Sequence, residues 1–390
     1  MLKVEKKISR LQLYISLFLL TYIPFSVEAN SPVANNTQHS SPSPEQKSKS
    51  WLLSRKGFSF SLSGELELEY VDTASDGKTP SGHFQVDKFT IIPLVKIDEN
   101  ISFGSLLLFK STSTRVDEYY IKFKNLAYKS EFKIGNDDRI TNEWPKRRTE
   151  AFALIDSAFA RDDETGITWS RDRKEDVFWS ITLSNGYKLG ESAAAEDKSF
   201  KFLHDDRQTT DANQNKALGL GLGWNFKPAK SHKTGLMVYA YSAKLSNDDI
   251  TTLQAIPGYD LTNDDTSYRY GLALNGKTGR WNYGAKNIIA RDGVLERDGW
   301  YVQAGHSFKL NHNAYLQSIE PFIRYGEMNV DLPDVFSSPL TWDRSMMTLA
   351  VILGIKKNFK IKIEYYINDE ETGALPVENN EFVTQFEAKF

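Results

Sequence analysis

Residues Ala217 to Phe226 read ALGLGLGWNF, with Leu218, Leu220, Leu222, Trp224 and Phe226 at every second position and Gly219, Gly221, Gly223 and Asn225 between them. Side chains of an extended chain alternate between two faces, so this segment has one greasy face and one nearly bare one. A soluble strand would gain nothing from glycine on its wet face, since glycine weakens a strand without filling space. Neither a G-x-G-x-x-G nor a P-loop spacing accompanies the glycines, which excludes a phosphate-cradling turn. The pattern fits a strand with lipid on one side and a lumen that need not be packed on the other. On that reading Leu220→Arg is costly and Gly221→Ser is mild.

The same period of two recurs. FSFSLSGELELEY sends Phe58, Phe60, Leu62, Leu66, Leu68 and Tyr70 one way and Glu65, Glu67 and Glu69 the other. YRYGLALNG and WYVQAGHSF alternate likewise, the latter placing Trp300, Val302, Ala304 and Phe308 on one face. Strands are expected near 57–71, 83–97, 100–110, 115–125, 130–137, 164–171, 176–187, 216–226, 233–244, 266–276, 279–291, 299–309, 315–328, 342–356, 359–368 and 379–390, an even number as bacterial barrels require. Links after even-numbered strands are short, while those at Asp138–Asp163, Lys188–Asn215 and Leu245–Asp265 are long. The expected fold is therefore all-β, a transmembrane antiparallel barrel of about sixteen strands with short periplasmic turns and long extracellular loops. Trp169, Trp179, Trp224 and Trp281 fall beside short turns, and Trp300 and Trp342 at long-loop ends, as two aromatic girdles would require. The chain ends in FVTQFEAKF, whose Phe382, Phe386 and Phe390 share a face and resemble the signal read by the outer-membrane barrel assembly machinery.

The amino terminus sets the compartment. Lys3, Lys6, Lys7 and Arg10 precede an apolar stretch, Leu11 to Ile23, too short to span a bilayer, and VEA at Val27 to Ala29 supplies small residues for cleavage. Residues 1–29 are expected to be a signal peptide, 30–56 a flexible Ser/Pro-rich periplasmic leader, and 57–390 an outer-membrane barrel facing lipid and lipopolysaccharide. Cleavage would remove four basic residues and two acidic ones (Glu5 and Glu28), taking the formal charge from −3 to −5, which offers nothing to nucleic acid. The chain has no cysteine, hence no disulfide framework and no thiol chemistry.

Candidate chemistry lies in the link from Asp138 to Asp163, where Lys146, Arg147 and Arg148 are adjacent. Basic groups in a pore attract anions. The same run, with Glu143, Glu150, Asp156, Asp162 and Asp163 around it, also reads as a solvated loop. Lumen-facing charges are mixed: Lys88, Lys122, Lys124, Lys133, Arg269 and Arg324 compete with Glu65, Glu67, Glu69, Glu118 and Glu320. His306 falls near the short-turn end of a strand, and no nucleophile–base pair or metal-spaced histidine cluster stands out, so no catalytic residue, metal or cofactor is expected. A non-conducting structural or adhesive barrel and a cation-preferring general porin stay open.

RVDEYYIKFKN, EFKIGND and AFALIDSAFARDDETGITW, with Arg161, Gly166 and Ile167 in the last, resemble the phosphate-selective (O/P type) porin family, and EYYINDEETGALPVENNEFVTQFEAKF is similar to that family's final hairpin. The resemblance covers Arg115 to Trp169 and the last thirty or so residues. It implies a homotrimer of sixteen-stranded barrels with a basic constriction, for which Lys146, Arg147, Arg148 and Arg161 are the candidates, and small solutes that are anions such as phosphate.

Overall fold

The computed structural model describes residues 51–55, 57–77, 82–110, 113–141, 144–159, 163–193, 201–207, 215–229, 231–256, 259, 264–310, 315–331, 343–371 and 377–390. The expected signal peptide, the leader up to residue 50, Arg161 and Trp342 lie outside the described residues.

Sixteen strands close one antiparallel barrel: β1 (Phe58–Thr73), β2 (His83–Lys96), β3 (Ile101–Phe109), β4 (Thr114–Leu126), β5 (Ser130–Asp137), β6 (Glu164–Arg171), β7 (Val177–Ser184) and β8 (Ala217–Ala229). The ring continues through β9 (His232–Lys244), β10 (Thr266–Thr278), β11 (Trp281–Asp292), β12 (Leu295–His306), β13 (Leu316–Asp331), β14 (Asp343–Ile355), β15 (Phe359–Glu371) and β16 (Glu381–Lys389). Each strand pairs with its neighbour in sequence, and β16 returns to β1 with Glu65 opposite Lys389 and Thr73 opposite Glu381. Two backbone bonds of 3.0 Å between Gly64 and Phe390 complete the seam. Gly64 is required there, because a Cβ would lie 2.4 Å from the Phe390 ring. The closed seam leaves the barrel ladder no free edge, as hydrocarbon demands.

The period of two decides which residues meet that layer. Leu218, Leu220, Leu222, Trp224 and Phe226 point outward and are 43–66% exposed, while Ala217 on the opposite face is buried. Phe382 and Phe390 also point outward, and Phe386 stacks on Phe359. At the short-turn rim Trp169 meets Trp179 edge-on, and His306 sits between Trp281 and Phe308.

Two boundaries differ from the sequence reading. Trp51–Arg55 pairs with Phe58–Leu62, so ordered pairing starts ahead of residue 57, inside the stretch expected to be flexible leader. β12 begins at Leu295, not 299, so Trp300 sits within the strand and not at a long-loop end; its inward-facing Leu295 and Arg297 are apolar and polar in turn and hid the period. Loop sorting is looser than expected as well, since β11 and β12 are joined by Gly293 and Val294 alone.

The buried apolar residues lie inside the barrel, where two long connections fold inward. The connection between β5 and β6, the inner loop, carries the helix α1 (Leu154–Phe159). Its Ile140, Trp144, Ile155 and Phe159 pack with Phe178, Met237, Tyr239, Ile288 and Tyr301 of the wall. The connection from β7 to β8 forms a hairpin of Tyr187–Ala193 with Lys201–Arg207. Leu189 and Leu203 of that hairpin pack with Leu253 and Ile256 of the β9–β10 connection, which carries the helix α2 (Asn247–Gln254). Ser246 and Asp249 cap α2 reciprocally. Asp249 Oδ1 also accepts the Leu189 N–H at 2.6 Å, tying helix to hairpin.

Candidate functional site

The inner loop crosses the barrel along the β8–β16 wall, and glycines on that wall make room for it. A Cβ at Gly221 would lie 2.5 Å from Ile140 Cδ1, one at Gly235 2.8 Å from the Trp144 ring, one at Gly284 2.5 Å from the Pro145 ring, and one at Gly299 2.4 Å from Ile155 Cγ2. The bare face of β8 is therefore not open lumen, as its sequence implied. It is a seat for the loop, and Gly221→Ser acts on Ile140 instead of on water. Gly284→Val confronts a rigid ring, and overpacking of this kind costs about 1–3 kcal/mol. The expected result is a lower urea midpoint and faster tryptic cleavage at Lys146, Arg147 and Arg148 as the loop lifts. An unchanged digestion pattern would contradict the seat.

Polar contacts hold the far end of the loop. Gln303 donates to the Lys146 carbonyl at 3.1 Å, and Arg148 makes a two-oxygen ion pair with Glu320 of β13. The Glu150 N–H donates to both carboxylate oxygens of Glu364, at 3.0 and 2.9 Å, and Ala151 N–H donates to Tyr366 Oη at 3.0 Å. Arg324 donates to the Ala151 carbonyl at 2.9 Å. The Glu150 carboxylate accepts from Gln385 at 2.6 Å. Burial alone would raise the Glu150 pKa, but Arg147, Lys362 and Lys88 around it overcome that and hold it below the ordinary value. On the return arm Lys286 of β11 bridges the two halves of the loop, donating to the Thr141 carbonyl at 3.0 Å and to Asp156 at 2.5 Å. Near the loop's end burial, with Asp138 and Asp117 adding repulsion, pushes the Asp163 carboxyl up to about 9.

The candidates from sequence separate into distinct environments. Lys146 is exposed, while Arg147 lies over the Phe152 ring and donates to the Glu150 carbonyl at 2.8 Å. Lys88 pairs with Glu67 at 3.1 Å, Lys122 with Glu131 at 3.2 Å, Lys133 with Asp137 at 2.6 Å, and Glu65 with Lys389 at 3.0 Å. Lys122 and Lys133 both stand over Tyr120, Glu118 lies half-buried, and Lys124 is exposed near the short turn. Glu67 and Glu69 are buried, the latter accepting from Gln85.

Arg269 and Arg324 are corrections. Both point inward but neither faces water, because the inner loop and the hairpin cover them. Arg269 is bound to Asp205 and Asp292, each at 2.9 Å, in a buried network with Arg139 (Glu164, 2.5 Å; Asp205, 3.0 Å) and Arg297 (Asp292, 2.6 Å). Asp205, on the hairpin, touches Arg139 of the loop and Arg269 and Arg297 of the wall. Sequence reasoning missed Arg139, Asp205 and Arg297 because six segments distant along the chain contribute to the cluster. Lys233 and Lys277 were legible: their positions in the alternation place both on the inward face.

No family model matches this chain, and neither does any curated protein. Solved structures do share its architecture. OmpF of Salmonella typhi, solved in complex with daunomycin, aligns with a TM-score of 0.59 over 87% of this chain and 100% of that one, at 11% identity. The fold is that of the outer-membrane porins. The porin-fold likeness extends to the outer-membrane channel DcaP of Acinetobacter baumannii, with a TM-score of 0.56 at 11% identity over 86% of this chain and 99% of that one. It extends also to in-vitro folded OmpT of Vibrio cholerae in its trimer form, with a TM-score of 0.54 at 9% identity over 86% and 100%.

Proposed function

We propose that this chain is an outer-membrane porin, a passive water-filled channel for small hydrophilic solutes that favours anions, phosphate among them, and that it works as a homotrimer after export and cleavage at Ala29. The observation that carries this reading is the inner loop. It lies against the β8–β16 wall of a closed barrel and narrows the interior, while Lys124 and Lys146 remain exposed and Lys88, Lys122 and Lys133 keep partial access to water. A barrel of this strand number has room for an aqueous path beside such a loop. The anion bias rests on Lys146, which makes no ion pair among the described residues, and not on Arg147 and Arg148, whose charges Glu150 and Glu320 offset. The outward-facing Phe382, Phe386 and Phe390 supply the strand that the barrel assembly machinery would read.

The test is the zero-current potential of purified, folded protein in a planar bilayer across a potassium chloride gradient. Chloride is expected to be the more permeant ion, and Lys146→Gln to reduce that preference while changing stability by no more than about 0.5 kcal/mol. Arg148→Gln should shift selectivity towards cations, because it leaves Glu320 unneutralised. A cation-selective wild type would discard the anion assignment, and folded protein without conductance would discard the channel.

A further inference from the structure

On the short-turn side of the inner loop the barrel holds a cavity of about 150 Å³. Lys146 reaches it from the loop, Lys233 from β9 and Lys277 from β10. Lys233 and Lys277 are directly opposed across the β9–β10 ladder. Like charges so placed are destabilising, and among the described residues none of the three lysines forms an ion pair. Arg148 also lines the cavity, but Glu320 already binds it, so that carboxylate does not serve the lysines.

Several other inward-facing cations of this barrel have acids beside them: Lys88 has Glu67, Lys122 has Glu131, Lys362 has Glu387 and Arg344 has Glu370. A site that gathers three positive charges with no carboxylate paired to any of them is completed by an anion. The remainder of the lining says which kind. Asn275 and Asn282 provide amide donors and acceptors suited to hydroxyl groups, and Phe322 contributes an apolar wall. Space of about this size takes a six-membered ring.

We propose that this cavity is a solute subsite for a small hydroxylated carboxylate, of the size and chemistry of a hexuronic acid. The carboxylate is held by Lys233 and Lys277 with Lys146 closing from the loop, and the hydroxyls by the two asparagines. The proposal rests on the channel reading for its physiological sense, naming a class of solute the channel would carry, but its test needs no conductance.

Isothermal titration of the full-length folded protein in detergent, at low salt, with D-glucuronate, D-glucose and acetate as probes, reads the site directly. Glucuronate is expected to bind, with glucose and acetate each about tenfold weaker or undetectable. The Lys233→Gln, Lys277→Gln double variant, which relieves a like-charge contact and should fold, is expected to lose glucuronate binding by about tenfold or more. Glucose binding as tightly as glucuronate would overturn the charge requirement, and acetate binding as tightly would reduce the site to a general anion field. No glucuronate binding, or binding untouched in the double variant, would overturn the proposal outright. Binding without conductance in the bilayer would keep the subsite and remove the channel.

Discussion

Asp205→Ala should destabilise the protein by about 3–5 kcal/mol, the range found when one partner is removed from a buried ionic cluster. Asp205 Oδ2 meets Arg139 at 3.0 Å and Oδ1 meets Arg269 at 2.9 Å, with Arg297 at 3.8 Å, and none of these side chains is more than 3% exposed. Arg139, Arg269 and Arg297 are balanced by Glu164, Asp205 and Asp292, so the cluster is neutral as it stands and carries an excess buried positive charge without Asp205. Two readouts should move together: the urea midpoint falls, and trypsin cleaves the hairpin faster as it leaves the wall. A rim pair such as Lys244–Asp265 is the comparison, since Lys244→Ala removes an exposed contact worth about 0–1 kcal/mol. If Asp205→Ala unfolds with the wild-type midpoint and keeps its digestion pattern, the hairpin is not held by this network.

Leu220→Arg should cost about 2–4 kcal/mol in refolding into lipid vesicles, because Leu220 is 45% exposed near the middle of an apolar band running from Leu218 to Phe226. A guanidinium there must either leave its hydration shell or drag water into the hydrocarbon. Lys227→Arg on the same strand, beyond that band and paired with Asp176 at 2.8 Å, should be nearly neutral. A urea titration that finds the two substitutions equally mild would remove lipid from the outer face of β8 and with it the membrane reading of the alternation.

The sixteen strands were legible in the sequence for a local reason. Lipid on one side and polar interior on the other impose a period of two, and a residue such as Leu222 has its environment set by parity alone. The same parity put Phe382, Phe386 and Phe390 outside, and Lys88, Lys122 and Lys133 inside. It failed where a strand carries mixed inward residues, as at Leu295 and Arg297, and there the boundary moved by four positions.

The candidate site was legible only as a set of charges. Sequence placed Lys146, Arg147 and Arg148 together but gave no account of their partners, since Glu320 lies 172 positions from Arg148. Inward parity likewise could not distinguish Lys124, open to water, from Arg269, sealed beneath the hairpin.

What the chain determined by itself is the wall: strand number, which face meets lipid, and which connections are long. Each follows from alternation read over a few residues. What only the tertiary structure decided is the use of the interior. Gly221, Gly235, Gly284 and Gly299 become a seat because one loop reaches all four, and Asp205 becomes a fastening because three arginines from different segments converge on it. Closing a barrel brings together positions far apart in the chain, and the packing and charge balance that follow leave no local pattern to read.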